Sequence, residues 1–265
     1  MKVFISADME GTAGITCWPE TERDKPEYPE FQELMTAEVV AACEGALQAG
    51  ATEIVIKDAH HTGRNLLVDR LPPQVRIIRD WAGHPHSMMF GIDGDCAAAI
   101  YTGYHDAAGT DSNPLAHSFN GKVMRLTING ALASEFTVNA LTAASLGVPS
   151  AFLSGDSGIC AAAAGLAPGI VTVPVSQGFG PATSSVTPVR AREMIREGVA
   201  AALSDLPSRS HPPLADQWEV EVEFATPRDA YRGSFFPGVD YPEPRRLRFI
   251  RDDWFEVLRT LRFMW

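Results

Sequence analysis

The sequence lacks the marks of several large protein classes. No apolar run approaches the ~20 residues needed to cross a bilayer. No dense Lys/Arg run occurs either. Arg245-Arg246-Leu247-Arg248 comes nearest, inside a segment that reads as a strand. The 33 acidic residues outnumber the 22 basic ones, for a net charge of -11, which argues against a nucleic-acid partner. The four cysteines, Cys17, Cys43, Cys96 and Cys160, are widely scattered and form no Cys-x-x-Cys. They fit a reduced, cytoplasmic chain with free and mostly buried thiols. The N-terminus enters a strand almost at once, without the charged region and long apolar core of a signal peptide. Gly178 and Gly180 do not follow a strand and open a helix at dinucleotide spacing, so that site is excluded. No internal repeat or low-complexity segment stands out.

What is present is a globular chain of 265 residues, 45% of them apolar, enough for one large domain or two small ones. It is organised around Lys2–Gly11. Val3–Ile5 reads as a buried strand that ends in Asp8-Met9-Glu10-Gly11. In extended geometry Asp8 and Glu10 would point to one face. Two carboxylates aimed together repel each other and become tolerable once a cation neutralises them. Taken alone, an acidic turn of this kind serves equally as a solvated loop or a helix cap.

The pattern repeats along the chain. Phe31–Ala49 has helical spacing, stopped by Gly50, and Thr52–Lys57 is the next strand. This strand-helix-strand order is that of a parallel sheet. The second strand exits at Asp58-Ala59-His60-His61. Asn65–Leu71 reads as a short helix and Val75–Arg79 as a further strand. Ala97–Gly103 is a strand that exits at Tyr104-His105-Asp106. Three strands thus share an apolar body and an Asp/Glu/His exit, and open parallel sheets bind ligands outside the carboxyl ends of their strands. Imidazole and carboxylate together suit divalent transition metals. His117 lies in a loop. Val123–Ile128 alternates before the turn Asn129-Gly130. Ser134 is the expected N-cap of a helix to Leu146, with Glu135 in its first turn. Val148–Ser154 is a strand that exits at Asp156.

From about Ala161 the character changes. Ile170–Val175 reads as a strand, Ser176–Ser185 as a loop, Val189–Leu206 as an amphipathic helix and Pro207–Pro213 as a linker. Trp218–Phe224 alternates strictly, with Leu247–Ile250 as its partner, and Asp253–Trp265 closes as a helix. The expectation is an α/β fold, a mostly parallel sheet flanked by helices. Residues 1–160 would form the metal-binding core. Residues 161–265 would form a smaller α+β part that walls the site or builds an oligomer interface.

The collected set is Asp8, Glu10, His60, His105, Glu135 and His117. Ser6-Ala7-Asp8-Met9-Glu10-Gly11, Lys57-Asp58-Ala59-His60, Gly103-Tyr104-His105, His117-Ser118 and Ser134-Glu135 with Asn139-Ala140 stand in one order. In that order the chain resembles D-aminopeptidases of the DppA type, the M55 metallopeptidases, over nearly its whole length. The resemblance implies two zinc ions per subunit. Asp8 would bridge them, Glu10 and His60 would complete one ligand set, and His105 and Glu135 the other. His117 matches the histidine treated as catalytic. It further implies a ring-like homo-oligomer, a decamer in the best known member, and release of N-terminal D-amino acids from short peptides. A bridged metal pair lowers the pKa of a shared water, which gives hydroxide near neutral pH. An imidazole nearby can shuttle a proton to the leaving amine.

Other readings of these residues stay open. Zinc, manganese and cobalt all accept these ligands. A di-metal hydrolase can act on another amide, an ester or a phosphoester, and a non-catalytic oligomeric metal-binding protein would carry the same donors. His61 is a competing ligand, though adjacent residues on an extended chain face opposite sides. Asp106 stands where the family has Ala, and Asp156 is a turn residue or an acceptor behind the ligands. Asp58 is a support for a ligand or a turn residue. His84 and His86 read as loop or pocket-rim groups with a second metal site as the alternative, His211 as solvated, and Arg228 and Tyr231 as surface.

Overall fold

The computed structural model describes residues 1–206 and 211–264. Two sheets share the chain. The larger has seven strands: β1 (Lys2–Ala7), β2 (Glu53–Asp58), β3 (Val75–Ile78), β4 (Ala98–Tyr104), β7 (Ser150–Asp156), β8 (Val171–Phe179) and β9 (Ala182–Ser185). Their order is β3-β2-β1-β4-β7-β8-β9, parallel throughout except for β9, which pairs antiparallel at the edge. Helices α1 (Tyr28–Gln48) and α4 (Pro188–Ser204) cover one face. Helices α2 (Glu135–Ser145) and α3 (Ser157–Leu166) cover the other. Both faces are dry, which is why β1, β4 and β7 read as near-continuous apolar runs rather than alternating ones.

The smaller sheet is antiparallel, in the order β11-β12-β10-β5-β6. It is built from β5 (Val123–Ile128), β6 (Ala131–Leu132), β10 (Trp218–Phe224), β11 (Val239–Glu243) and β12 (Arg246–Arg251). In β10 each buried residue alternates with a half-exposed one, as period-2 patterning requires. Trp218, Val220, Val222 and Phe224 meet Val138 and Leu141 of α2 and the apolar face of α6 (Trp254–Arg262) in one core. Helix α2 therefore belongs to both layers. Phe136, Ala140 and Ala143 face the large sheet, while Val138 and Leu141 face the small one.

Several segments differ from the sequence reading. The stretch 176–185 is a hairpin, because an exposed edge strand needs no apolar residues to hold its ladder. Helix α5 (Pro227–Gly233), β11 and α3 went unread, the first two because they are short and exposed and α3 because its run of alanines has no polar face. The residues 65–71 form only a single 3₁₀ turn, Val68–Arg70. Of the linker at 207–213, residues 207–210 lie outside the described residues, as does residue 265 at the end of the closing helix. Position 160 falls inside α3. Strands β5 and β6 precede it yet join the small sheet, and β8, β9 and α4 follow it yet join the large one.

The strand order reverses direction between β1 and β4, and there the crevice at the carboxyl ends opens. Register holds the exits level: Ala7 pairs with Asp58 on one side and with Thr102 on the other. Beyond β1 the chain doubles back tightly against β4. The amide of Gly11 donates to the Gly103 carbonyl at 2.9 Å, and Asp8 N donates to Thr102 O at 2.9 Å. A Cβ on Gly11 would sit 1.8 Å from the Tyr104 carbonyl oxygen, and one on Gly103, where φ is +68°, would sit 2.3 Å from the Asp8 carbonyl oxygen. Only glycine allows this backbone-on-backbone contact. Gly11→Ala is expected to cost about 3 kcal/mol, read as a shift of the urea midpoint at unchanged slope; a loss under about 0.5 kcal/mol would contradict the close packing.

Candidate metal centre

The six residues singled out in the sequence converge on one buried cluster. Asp8 and Glu10 follow β1, His60 follows β2 and His105 follows β4. His117 comes from the loop between β4 and β5, and Glu135 opens α2. Asp8 and Glu10 do not sit on an extended strand, since β1 ends at Ala7 and Thr12 N donates to Met9 O in a tight turn. The turn, not the pleat, brings the two carboxylates to one side. Donor atoms of Asp8, Glu10 and His60 lie within 4.8 Å of one another, and so do those of Asp8, His105 and Glu135. Glu10, His105 and His117 form a third such group.

Each imidazole is oriented by a backbone carbonyl. His60 Nε2 lies 2.9 Å from Thr21 O, His105 Nδ1 lies 2.9 Å from Asp106 O, and His117 Nδ1 lies 2.9 Å from Leu115 O. A carbonyl only accepts, so each of these nitrogens carries a proton and the other nitrogen is turned to the carboxylates. His60 Nδ1 is 3.0 Å from Glu10 Oε2 and 3.4 Å from Asp8 Oδ1. His105 Nε2 is 3.5 Å from Asp8 Oδ2 and 3.6 Å from Glu135 Oε2. Asp8 Oδ2 and His105 Nε2 are buried without a hydrogen-bond partner. Orphaned donor atoms aimed at one point, each ligand ring pinned from behind, fit a divalent metal pair.

A further layer fixes these loops. Asp58 accepts from Asn65 N at 2.5 Å and Leu66 N at 2.8 Å, and Asn65 Nδ2 donates to His60 O at 2.6 Å. Asp58 is therefore a support for the His60 turn. Asp156 caps α3 through Gly158 N and Ile159 N and also accepts from Asp106 N, which holds the chain that follows His105. Asn113 Nδ2 reaches both Glu10 O and Asp156. His61 is exposed, at φ 39°, and belongs to none of the three donor groups. His84 and His86 form an aromatic cluster with Phe255, likewise outside those groups. His211 is exposed.

The centre opens into a cavity of about 420 Å³ walled by Trp18, Trp81, Phe119 and Met88. Trp18 packs edge-on against His117, which stacks on His105 at 4.2 Å. Sequence reasoning missed Trp18, Trp81, Asn65 and Asn113. Only the Asp-to-Asn spacing of a side-chain turn hinted at Asn65. Lys57 is also buried. It donates to the carbonyls of Asp58 and Asp80 and lies over the Trp81 ring, so it pins the cavity wall.

The family profile of the peptidase M55 D-aminopeptidases matches residues 1–263. The chain belongs to that family. A D-aminopeptidase of Bacillus subtilis (strain 168) is 29% identical over 241 residues, covering 91% of this chain and 87% of that protein. The solved structure described as Zn-dependent D-aminopeptidase DppA from Bacillus subtilis, a self-compartmentalizing protease, superposes with a TM-score of 0.93 at 28% identity. That match covers 100% of this chain and 96% of that one. The mixed α/β fold and the class, a metallo-aminopeptidase, are those of the M55 family. No helix among the described residues is long and apolar enough to cross a membrane.

When an M55 chain is stripped of metal, protons become the counter-ions of these carboxylates. Burial and the neighbouring Glu10 push the Asp8 carboxyl well up. Against the cost of burial, Glu10 and Asp8 hold the His60 imidazole well above its ordinary range, and Glu135 does the same for His105. Burial and the charge of His105 push His117 down. The pKa values of His60 and His105 are raised in the folded state. Their stabilisation is complete below the unfolded value of about 6.5 and is lost as pH rises. Above about 8 the lowered Lys57 amine begins to act in the opposite sense. Chelated protein should therefore melt at falling temperatures between pH 6.5 and 8. A flat or rising melting temperature across that window, followed by circular dichroism, would contradict the imidazolium-carboxylate pairing.

Proposed function

We propose that the chain is a zinc-dependent aminopeptidase that releases the N-terminal residue of short peptides, with D-amino-acid peptides as its substrates. One observation carries the reading: two buried three-donor groups share Asp8, and each includes an imidazole nitrogen already turned inward. Asp8 would bridge two zinc ions, Glu10 and His60 would hold one, and His105 and Glu135 would hold the other. Bound there, the ions would polarise the scissile carbonyl and make water acidic enough to ionise near neutral pH.

The remaining work falls to the chain. His117 keeps its Nδ1 proton on the Leu115 carbonyl, and its Nε2 lies 3.6 Å from Glu135 Oε1 and 4.0 Å from Glu10 Oε1 in the cavity lining. Burial disfavours the charged ring, so Nε2 would take the proton of the attacking water and pass it to the leaving amine nitrogen. The edge of Trp18 holds the ring in place. Trp18, Trp81 and Phe119 displace water around a bound peptide of a few residues. The D preference rests on the family description and the Bacillus subtilis matches, and the zinc on the solved DppA structure. The self-compartmentalizing character of the DppA relative supports a homo-oligomer, with a decamer as the expected count. Four free cysteines accord with a cytoplasmic setting.

The test is release of alanine from D-Ala-D-Ala and L-Ala-L-Ala, with zinc and after chelation. Chelator-sensitive cleavage of the D peptide alone is expected, and Asp8→Ala should lose both bound metal and turnover. Cleavage of the L peptide alone would discard the stereochemical part. Bound metal without turnover of either peptide would turn the reading to other amides, esters or phosphoesters. His117→Gln should retain bound zinc and lower kcat by about 10²- to 10⁴-fold. A kcat within threefold of the parent would remove His117 from proton transfer.

A further inference from the structure

We infer that Arg262 is a specificity-determining residue that receives the free C-terminal carboxylate of the peptide, so that the cavity selects short peptides with an unblocked end. The inference rests on the peptidase reading above. The cavity lining carries the carboxylates of Asp8, Glu10 and Glu135 and the imidazoles of His60 and His117, with Glu22 as a further acid. Arg262 is the one Lys or Arg among the described lining residues, and it arrives from elsewhere in the fold, the last turn of α6 on the small-sheet side.

No carboxylate among the described residues forms an ion pair with Arg262, and its Nε donates to the Gly83 carbonyl at a long 3.4 Å. The neighbouring cation on α6, Arg259, by contrast pairs with Glu256 one turn back. Gly83, at φ +74°, stands beside the group: a Cβ there would lie 4.0 Å from Arg262 Nη2, an ordinary contact. The Arg262 side chain is half-buried, and its stem also borders the small cavity beside Leu258 and Leu261. A half-desolvated guanidinium without a counter-charge, facing a cavity, is a receptor for an anion.

A free peptide supplies that anion. It carries an ammonium at one end and a planar carboxylate at the other. The acidic end of the cavity suits the first and the guanidinium fork the second. Arg262 and the acidic cluster line one cavity of about 420 Å³, so a short peptide, extended at no more than about 3.3–3.6 Å per residue, would engage both. Arg262 would then hold the peptide by its far end and set its register on the reacting centre. Peptides that are amidated, or whose chain continues past the cavity, would forfeit that contact.

The experiment uses the zinc-loaded full chain with D-Ala-D-Ala and D-alanyl-D-alaninamide, or the L pair should only that series be cleaved. The parent is expected to favour the free acid in kcat/KM by about 10- to 100-fold, the size of one charge-assisted contact. Arg262→Met, which keeps the apolar stem, should bring the acid-to-amide ratio close to one, chiefly through KM. Arg262→Lys should give an intermediate ratio and carries the test if the Met variant does not fold. A ratio near one in the parent would overturn the assignment, and so would the parent's ratio persisting in the Met variant or equal losses on acid and amide. In each of those cases the peptidase reading stands. Failure of the parent to cleave any of the four peptides would overturn both.

Discussion

Repulsion among buried carboxylates is the constraint on which the structure turns. Asp8, Glu10 and Glu135 are almost wholly excluded from solvent and lie within a few ångströms of the same imidazoles. No fold tolerates three such anions together unless positive charge is supplied. Without metal the supply is protons on His60 and His105; with metal it is the ions. Everything nearby serves to hold the anions in place while that exchange occurs. Asp58 and Asn65 brace the His60 turn, Asp156 and Asn113 brace the turn after His105, and three carbonyls fix which nitrogen of each imidazole faces inward.

The sheet topology explains why the cluster lies where it does. Strands β1 and β4 are neighbours but their helical connections lead to opposite faces, so no crossover covers the crevice between their ends. Helix α2, packed between the two sheets, brings the N-terminal turn that carries Glu135 into that crevice. Helix α6 of the small sheet adds Arg262 to the cavity lining. The antiparallel layer is thus part of the cavity.

Much of this was legible in the sequence, for a physical reason. Buried parallel strands must be apolar, so the polar residue types at their exits stand out against an apolar background: Asp8 after Ile5, His60 after Ile56, His105 after Ile100. Ser134 announced α2 because an N-cap uses its own side chain, and that hydroxyl does accept from Thr137 N. The illegible parts depend on tertiary neighbours. The hairpin of β8 and β9 is polar because it lies at an edge. Trp18 and Arg262 are single residues on a 3₁₀ turn and a terminal helical turn, far apart in sequence, and nothing in local pattern links either to the centre. The chain alternates between the two sheets on either side of residue 160, which composition does not reveal, because composition records burial and not which layer does the burying.

That alternation has a consequence for how the protein is made. The central pair of the small sheet joins β5 to β10, and Asn129 meets Glu219 across a separation of 90 residues. At about 5–20 residues per second of synthesis, β5 emerges about 5–20 s before its partner exists. During that interval Val123, Leu126 and Ile128, destined for the interior, have the two-residue β6 as their only strand partner and lack the β10 residues that complete their core. The nascent chain must therefore pass through a stage in which a nearly complete parallel sheet carries an unpaired, sticky ribbon. Pairing with β10 is what covers that ribbon.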